Sequence, residues 1–150
     1  MALLARDPDY EARVRASFAK QEFMATLGAR LVHVAPGEVR IALAFRGDLT
    51  QQHGFLHAGA VTSVVDSACG YAALSLMEPG AAVLAVEFKV NLLAPAAGKE
   101  FLAIGKVVRA GRTLTVCAGE LRSTGNERDT VIALMQGTMM TVRDRERLAD

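Results

Sequence analysis

The chain predicts an α+β fold in which a curved antiparallel sheet wraps one long central helix. Two observations carry that expectation. The stretch 58–77, AGAVTSVVDSACGYAALSLM, is helix-like and apolar on nearly every face, so it needs cover all round. Two strand-like runs precede it and four follow, most of them separated by short turn signals, and short connections between consecutive strands imply antiparallel pairing. At 150 residues, with no internal repeat and no shift in composition, the chain reads as one domain with one core.

Taken in order, residues 9–24 (DYEARVRASFAKQEFM) place Tyr10, Val14, Phe18 and Phe23 at roughly helical spacing, with Arg and Lys between them. They read as an extra amphipathic helix entered through Pro8 and lying across the rest of the molecule. Residues 29–35 and 38–45 alternate apolar and polar on either side of Pro36-Gly37, the pattern of a hairpin. Glu78-Pro79-Gly80 stops the central helix. Strands are then predicted over 82–93, closed by Pro95 and Gly98; over 100–108, closed by Ala110-Gly111; over 113–123, closed by Gly125-Asn126; and over 130–142. The core thus spans about 27–142, and the charged segment 143–150 reads as a solvated or frayed tail.

A formal net charge of +1 argues against nucleic-acid binding, which normally needs a marked basic excess. The hydrophobic fraction of 51% suits a protein that hides apolar surface in an oligomer. Cys69 and Cys117 are too few and too far apart for a disulfide framework, and the N-terminus meets charge within six residues. A reducing cytoplasm is the expected location. The 58–77 run carries one Asp, two Gly, one Thr and three Ser, too polar for a membrane span, so no membrane partner is expected.

Asp66 is the one charged residue in the central helix. A carboxylate set among apolar and small residues is either a structural group capped by a neighbouring hydroxyl or a functional one. The polar, glycine-punctuated run Gln51-Gln52-His53-Gly54-Phe55-Leu56-His57-Ala58-Gly59 enters the same helix, so backbone N–H donors and the carboxylate belong to one unit. His53 and His57, four apart, lack a third ligand at a recognisable spacing, so no metal is expected. Ser63, Ser67 and Cys69 lack a Gly-x-Ser-x-Gly elbow, and no His follows the helix to serve them as a base. His33, in a strand, reads as structural.

The pattern Gln51-x5-His57-Ala-Gly-x6-Asp66-x3-Gly70-x-Ala72-Ala73, then Val86-Glu-Phe-Lys-Val-Asn91-x3-Pro95-Ala96, then Val108-Arg-x-Gly111-Arg112, resembles the hotdog-fold acyl-CoA thioesterases of the PaaI-like group over roughly residues 27–142. The resemblance implies a hotdog fold paired into homodimers or homotetramers, and hydrolysis of coenzyme A thioesters without a cofactor. It also implies roles. His57 and the Ala58 N–H would face the thioester carbonyl, with Gly59 beside them; Asp66 would be base or nucleophile; Gln51 would place the water or the carboxylate. Arg109 and Arg112, flanking Gly111 at a hairpin tip, are placed to grip the phosphates of coenzyme A, or are solvated turn charges; Lys89 and Arg46 are weaker candidates of the same kind. Two departures stand out. The family's His-Gly-Gly is His57-Ala58-Gly59, which keeps the N–H and adds a methyl, and the place of a hydroxyl that some relatives bring from the strand after the helix is taken by Ala85.

The chemistry agrees with these roles. Thioester hydrolysis needs an oxyanion site, which a helix N-terminus supplies, and a base or nucleophile, which a carboxylate supplies; the thiolate leaves without a strong acid. Ala58 and Asp66 are eight residues apart, about 12 Å along a helix, too far to meet one carbonyl. If both act, the site is shared between two chains whose central helices run antiparallel. Medium-chain or aryl acyl groups are expected from the small apolar helix face of Ala60, Val64 and Ala68. The alternative is a hotdog protein that binds acyl groups or acyl-CoA without hydrolysis. A dehydratase is disfavoured, because no second His-plus-carboxylate pair is present.

Overall fold

The computed structural model describes residues 3–125, 129–144 and 148. Two short helices, α1 (Tyr10–Ala19) and α2 (Glu22–Leu27), precede the strands β1 (Arg30–Ala35) and β2 (Glu38–Ala44). A 3₁₀ turn (Gly47–Leu49) and a loop lead into α3 (Ala58–Leu74), followed by β3 (Ala82–Leu92), β4 (Glu100–Ala110), β5 (Leu114–Thr124) and β6 (Thr130–Val142). The expected order of one N-terminal helical region, two strands, a long helix and four strands is what the chain forms. Most of the 143–150 tail, and Asn126 of the last expected turn, lie outside the described residues.

All six strands form one antiparallel sheet in the order β1-β2-β4-β5-β6-β3. Consecutive strands pair except at β3, which runs to the far edge beside β6. The connection from β3 to β4 then crosses the start of α3, where the Leu56 N–H donates to Ala96 O at 3.2 Å and Ala96 is buried. That crossing leaves β3 with one partner and an open edge, on which Leu84, Val86, Phe88, Leu92 and Leu93 are each more than 40% exposed.

α3 lies on the concave side of the sheet, with Val64, Val65, Ala68, Cys69, Ala72, Ala73 and Leu74 fully buried. It approaches the sheet closely because β4 and β5 present Gly105 and Gly119 as a register pair beneath it. A Cβ at Gly105 would overlap the Ala68 carbonyl, and one at Gly119 would lie 2.6 Å from Val65 Cγ1 and 2.7 Å from Cys69 Sγ. Ala60, Val64 and Ala68, taken from sequence as an acyl-binding face, therefore face core and not a cavity. A helix apolar all round does not reveal from its own pattern which face meets the sheet.

The N-terminal region differs from the single helix expected over 9–24. The chain leaves α1 at Lys20, takes an extended turn at Gln21 (φ −82°, ψ 91°) and starts α2 at Glu22. The break re-aims the chain so that Met24 and Leu27 enter the core while Phe23, expected on the apolar stripe, is 54% exposed. α1 also closes the other end of α3. The Arg13 guanidinium donates to Leu74 O (3.1 Å), Met77 O (2.7 Å) and Glu78 O (2.5 Å), and stands in ion-pair contact with Asp7 at 3.3 Å. A cation satisfying the last carbonyls of a helix complements its dipole.

Candidate active site

The loop before α3 spends its polar groups on its own shape. The Gln51 N–H donates to Phe55 O at 2.9 Å, the Gly54 N–H to Gln51 O at 3.1 Å, and the His53 N–H to Gln51 Oε1. The His57 N–H donates to Leu49 O at 2.9 Å. His57 is thereby delivered in extended geometry (φ −61°, ψ 139°) as the N-cap of α3, and its Nδ1 accepts from the Gly59 N–H at 2.8 Å. An Nδ1 that accepts leaves the ring proton on Nε2, so the neutral imidazole is a donor on its far side. Gly59 leaves room for this contact, since a Cβ there would stand 3.0 Å from His57 Nδ1 and crowd it.

Ala58 is the first residue of α3, and its N–H has no acceptor among the described residues. It lines a cavity of about 470 Å³ whose other walls are mostly apolar: Phe55, Leu56, Val61, Leu92, Leu93 and Ile132. Gln51 lines the same cavity. Because its Oε1 is held by the loop, its amide NH₂ is the end left to donate. His57 is exposed beside the cavity rather than in its wall.

Asp66 opens into a different cavity, of about 370 Å³. Its Oδ1 is buried without a hydrogen-bond partner among the described residues, and burial pushes its carboxyl above the ordinary Asp range. Ala85 lies on this cavity's wall, so the position where some relatives are expected to carry a hydroxyl does face the carboxylate and brings it no hydrogen bond. The polar side chains here come from Ser67 and Tyr71 of α3 and from Ser17, Lys20 and Gln21 at the α1–α2 junction. Sequence reading missed the last three. In an amphipathic pattern they look like a solvated face, and neither Gly nor Pro announces the break that turns them inward.

The two cavities share no lining residue, and the separation of eight positions from Ala58 to Asp66 sets them about 12 Å apart along α3. One chain does not bring the N–H donors and the carboxylate together. The other expected contacts are more distant still. Arg109, Gly111 and Arg112 sit at the β4–β5 tip, near Leu76 and Met77 beyond the C-terminal end of α3, and so roughly 25 Å from Ala58 along a helix of 17 residues. Gly111 makes that tip tight: its N–H donates to Leu114 O at 2.8 Å, and a Cβ there would lie 2.6 Å from the same oxygen. Both arginine side chains are exposed, and the Arg112 carbonyl accepts from Arg143 at 2.6 Å.

The remaining candidates fall into place more simply. Arg46 is tied to Asp48 and to Thr26 O, and Lys89 is exposed on β3. His53 is exposed beside Gln52, and His33 is exposed on β1 rather than packed in the core. Cys69 and Cys117 are buried and unpaired; burial raises both thiols, Cys117 to about 12, so neither is a nucleophile. Met77, Met135 and Met139 are core residues, while Met140 is half-buried. Among the described residues no group of three His, Cys, Asp or Glu side chains gathers to hold a metal.

The chain matches the model of the thioesterase superfamily over residues 53–129, a span that holds His57, Ala58, Asp66, Arg109 and Arg112. A solved thioesterase family protein from Silicibacter pomeroyi is 52% identical, with a TM-score of 0.88 over 90% of this chain and 99% of its own. The PaaI protein of Escherichia coli, from the phenylacetic acid degradation operon, shares the fold at 21% identity, with a TM-score of 0.80 over 89% of this chain and 94% of its own. A curated relative from Saccharolobus solfataricus, whose name carries the word esterase, is 29% identical over 96 residues, 64% of this chain and 68% of that protein. The sheet wrapped on α3 is thus a hotdog fold, and the chain belongs to the thioesterase superfamily, a thioester hydrolase.

Proposed function

We propose that this protein is an acyl-CoA thioesterase that releases a medium-chain or aryl acid from coenzyme A, in sites shared between two copies of the chain. The observation that carries the reading is the division of labour along α3: an unpaired N–H beside an apolar cavity at one point, a partnerless carboxylate in a second cavity about 12 Å away. Both cavities take wall residues from β3, one from Val83, Leu84 and Ala85 and the other from Leu92, with Leu93 just beyond the strand. A second copy laid antiparallel along that open, apolar edge sets the Asp66 cavity of one chain against the Ala58 cavity of the other, twice over. A homotetramer is a pair of such dimers.

In this arrangement the thioester carbonyl oxygen takes hydrogen bonds from the Ala58 N–H and from His57 Nε2–H, at the positive end of the helix dipole. Asp66 of the second copy, its carboxyl raised by burial, acts on the carbonyl carbon as base or nucleophile, and the Gln51 amide NH₂ orients the group that attacks. The acyl chain occupies the apolar cavity of about 470 Å³, which suits a medium chain or a single ring, and its Phe55, Leu56 and Ile132 walls replace the helix face inferred from sequence as the ground for that choice. Arg109 and Arg112, beyond the far end of their own α3, lie on the side where an antiparallel partner brings its Ala58 end, and there they grip the phosphates of coenzyme A. The buried, unpaired thiols of Cys69 and Cys117 suit a reducing cytoplasm. Among the described residues no helix is long and apolar enough to cross a membrane.

Release of free thiol from short, medium, long and aromatic acyl-CoAs, measured with and without a chelator, tests the reading. Turnover highest on medium or aryl chains and indifferent to the chelator is expected. Silence across the panel with acyl-CoA still bound returns the protein to a non-hydrolytic binder, and sensitivity to the chelator overturns the mechanism.

A further inference from the structure

The Asp66 cavity has two kinds of wall. β3 and β6 contribute Val83, Leu84, Ala85 and Met139, whose side chains form no hydrogen bonds of ordinary strength, whereas the α1–α2 junction contributes Ser17, Lys20 and Gln21. Gln21 stands out among these. It occupies the N-cap position of α2, yet its side chain does not cap that helix. It crosses instead to α3, where the Ser67 hydroxyl donates to Gln21 Oε1 at 3.5 Å. One lone pair of that oxygen and the amide NH₂ are then held at the cavity that contains the buried, partnerless Asp66 Oδ1. Gln21 also lies outside residues 53–129, so membership of the superfamily assigns it no role.

Resting on the reading of Asp66 as the base that acts on the thioester, we infer that Gln21 is a positioning residue of the reaction: braced by Ser67, it holds the water that Asp66 deprotonates. The water gives one hydrogen to Asp66 and the other to Gln21 Oε1, which turns its oxygen lone pair toward the carbonyl carbon. The O–C bond forms as the proton passes to Asp66. The tetrahedral oxyanion then collapses, the C–S bond breaks, and the leaving thiolate takes the proton from Asp66. Among the described residues the other titratable groups near Asp66 are Lys20 at the α1–α2 junction, and Tyr71 and Cys69 from its own helix; β3 and β6 present none to this cavity.

Two substitutions test the inference, since neither removes a cap. Gln21→Met keeps length and removes hydrogen bonding; kcat should fall about tenfold, the worth of one well-placed hydrogen bond, with KM and melting temperature unchanged. Gln21→Glu keeps the acceptor and adds a negative charge beside Asp66, so kcat at alkaline pH should exceed that of Gln21→Met, while the acid limb of the kcat profile moves to higher pH. A merely structural Gln21 leaves kcat of Gln21→Met unchanged apart from stability, and the moved limb in Gln21→Glu checks that position 21 stands beside Asp66. Normal kcat in Gln21→Met, or an unmoved acid limb in Gln21→Glu, overturns the role. Asp66→Asn, measured in parallel, separates the two claims: if it retains turnover, the reading of Asp66 itself fails; if it is inactive while the Gln21 variants behave as wild type, only the positioning role fails.

Discussion

The two cavities beside α3 differ in what they offer. The one at Ala58 is walled by loop and strand ends, is largely apolar, and presents backbone and amide donors with no carboxylate. The one at Asp66 is walled by helices on one side and by β3 and β6 on the other, is more polar, and presents a carboxylate and hydroxyls and, among the described residues, no unpaired helix N–H. Each holds half of what the proposed hydrolysis needs, and both take wall residues at or beside β3, one of the two edge strands of the sheet. In the proposed site, a chain divided in this way depends on a second copy of itself.

The sharpest way to break the comparison is Asp66→Asn, which keeps shape and removes the only carboxylate among the described residues lining either cavity. Turnover in the thiol-release assay should fall by roughly 10²–10⁴, the usual loss for a general base, with circular dichroism and oligomeric size unchanged. Near-normal turnover would return Asp66 to a structural role.

The division between chains is tested by mixing defects. Ala58→Pro deletes the proposed oxyanion N–H, and the structure suits it, because Ala58 is the first helical residue and His57 already has the extended geometry that precedes proline (φ −61°, ψ 139°). Alone it should lose roughly 10²–10³ in kcat, as for a lost oxyanion donor. Mixed with Asp66→Ala, it should regain activity approaching one working site per heterodimer, since one site then receives both defects and the other neither. Well-formed heterodimers without recovery would show that the halves do not combine across chains.

A smaller effect is expected at the edge between the cavities. Val86, 54% exposed at a bulge in β3, has no register partner among the described residues, and a lysine there should discourage edge-to-edge pairing. Val86→Lys should shift the protein toward monomer in size-exclusion chromatography, with specific activity falling on dilution. An unchanged oligomer would move the proposed interface elsewhere.

The unequal legibility of these regions in the sequence has physical causes. Asp66 was visible because a single charge in an apolar helix is chemically conspicuous, and His57-Ala58-Gly59 because a polar, glycine-marked loop before a helix exposes donors. The strands were visible from alternation and turn residues. The edge position of β3 was not, since it depends on a crossing fixed by the hydrogen bond from Leu56 to Ala96 and not by local pattern. Nor was the break at Gln21, which follows from packing Met24 and Leu27 into the core and carries no helix-breaking residue. The acyl-binding face was misplaced because Ala60, Val64 and Ala68 look the same whether they meet a ligand or the glycines of β4 and β5.

The smallest expected effect concerns stability, and it has the opposite sign to the effect on activity. Burial raises the Asp66 carboxyl above its ordinary range, so the folded chain holds that proton to higher pH than the unfolded chain does. Below the unfolded value both states are protonated and Asp66 costs nothing. As pH rises through the unfolded value and then the folded one, the unfolded state ionises first and stability is lost, and the full penalty stands above the folded value. In the proposed mechanism hydrolysis needs the carboxylate, so activity should instead fall as pH drops through the raised value. Asp66→Asn should therefore melt above the wild type at neutral and alkaline pH, with the gap narrowing in acid as pH falls through the ordinary Asp range. Thermal melts of both proteins across that range decide the point. A gap that does not change with pH would mean that the folded protein bears no cost for the charge on Asp66, and the contrast between a carboxylate left without a partner and a loop whose donors are nearly all paired would lose its energetic basis.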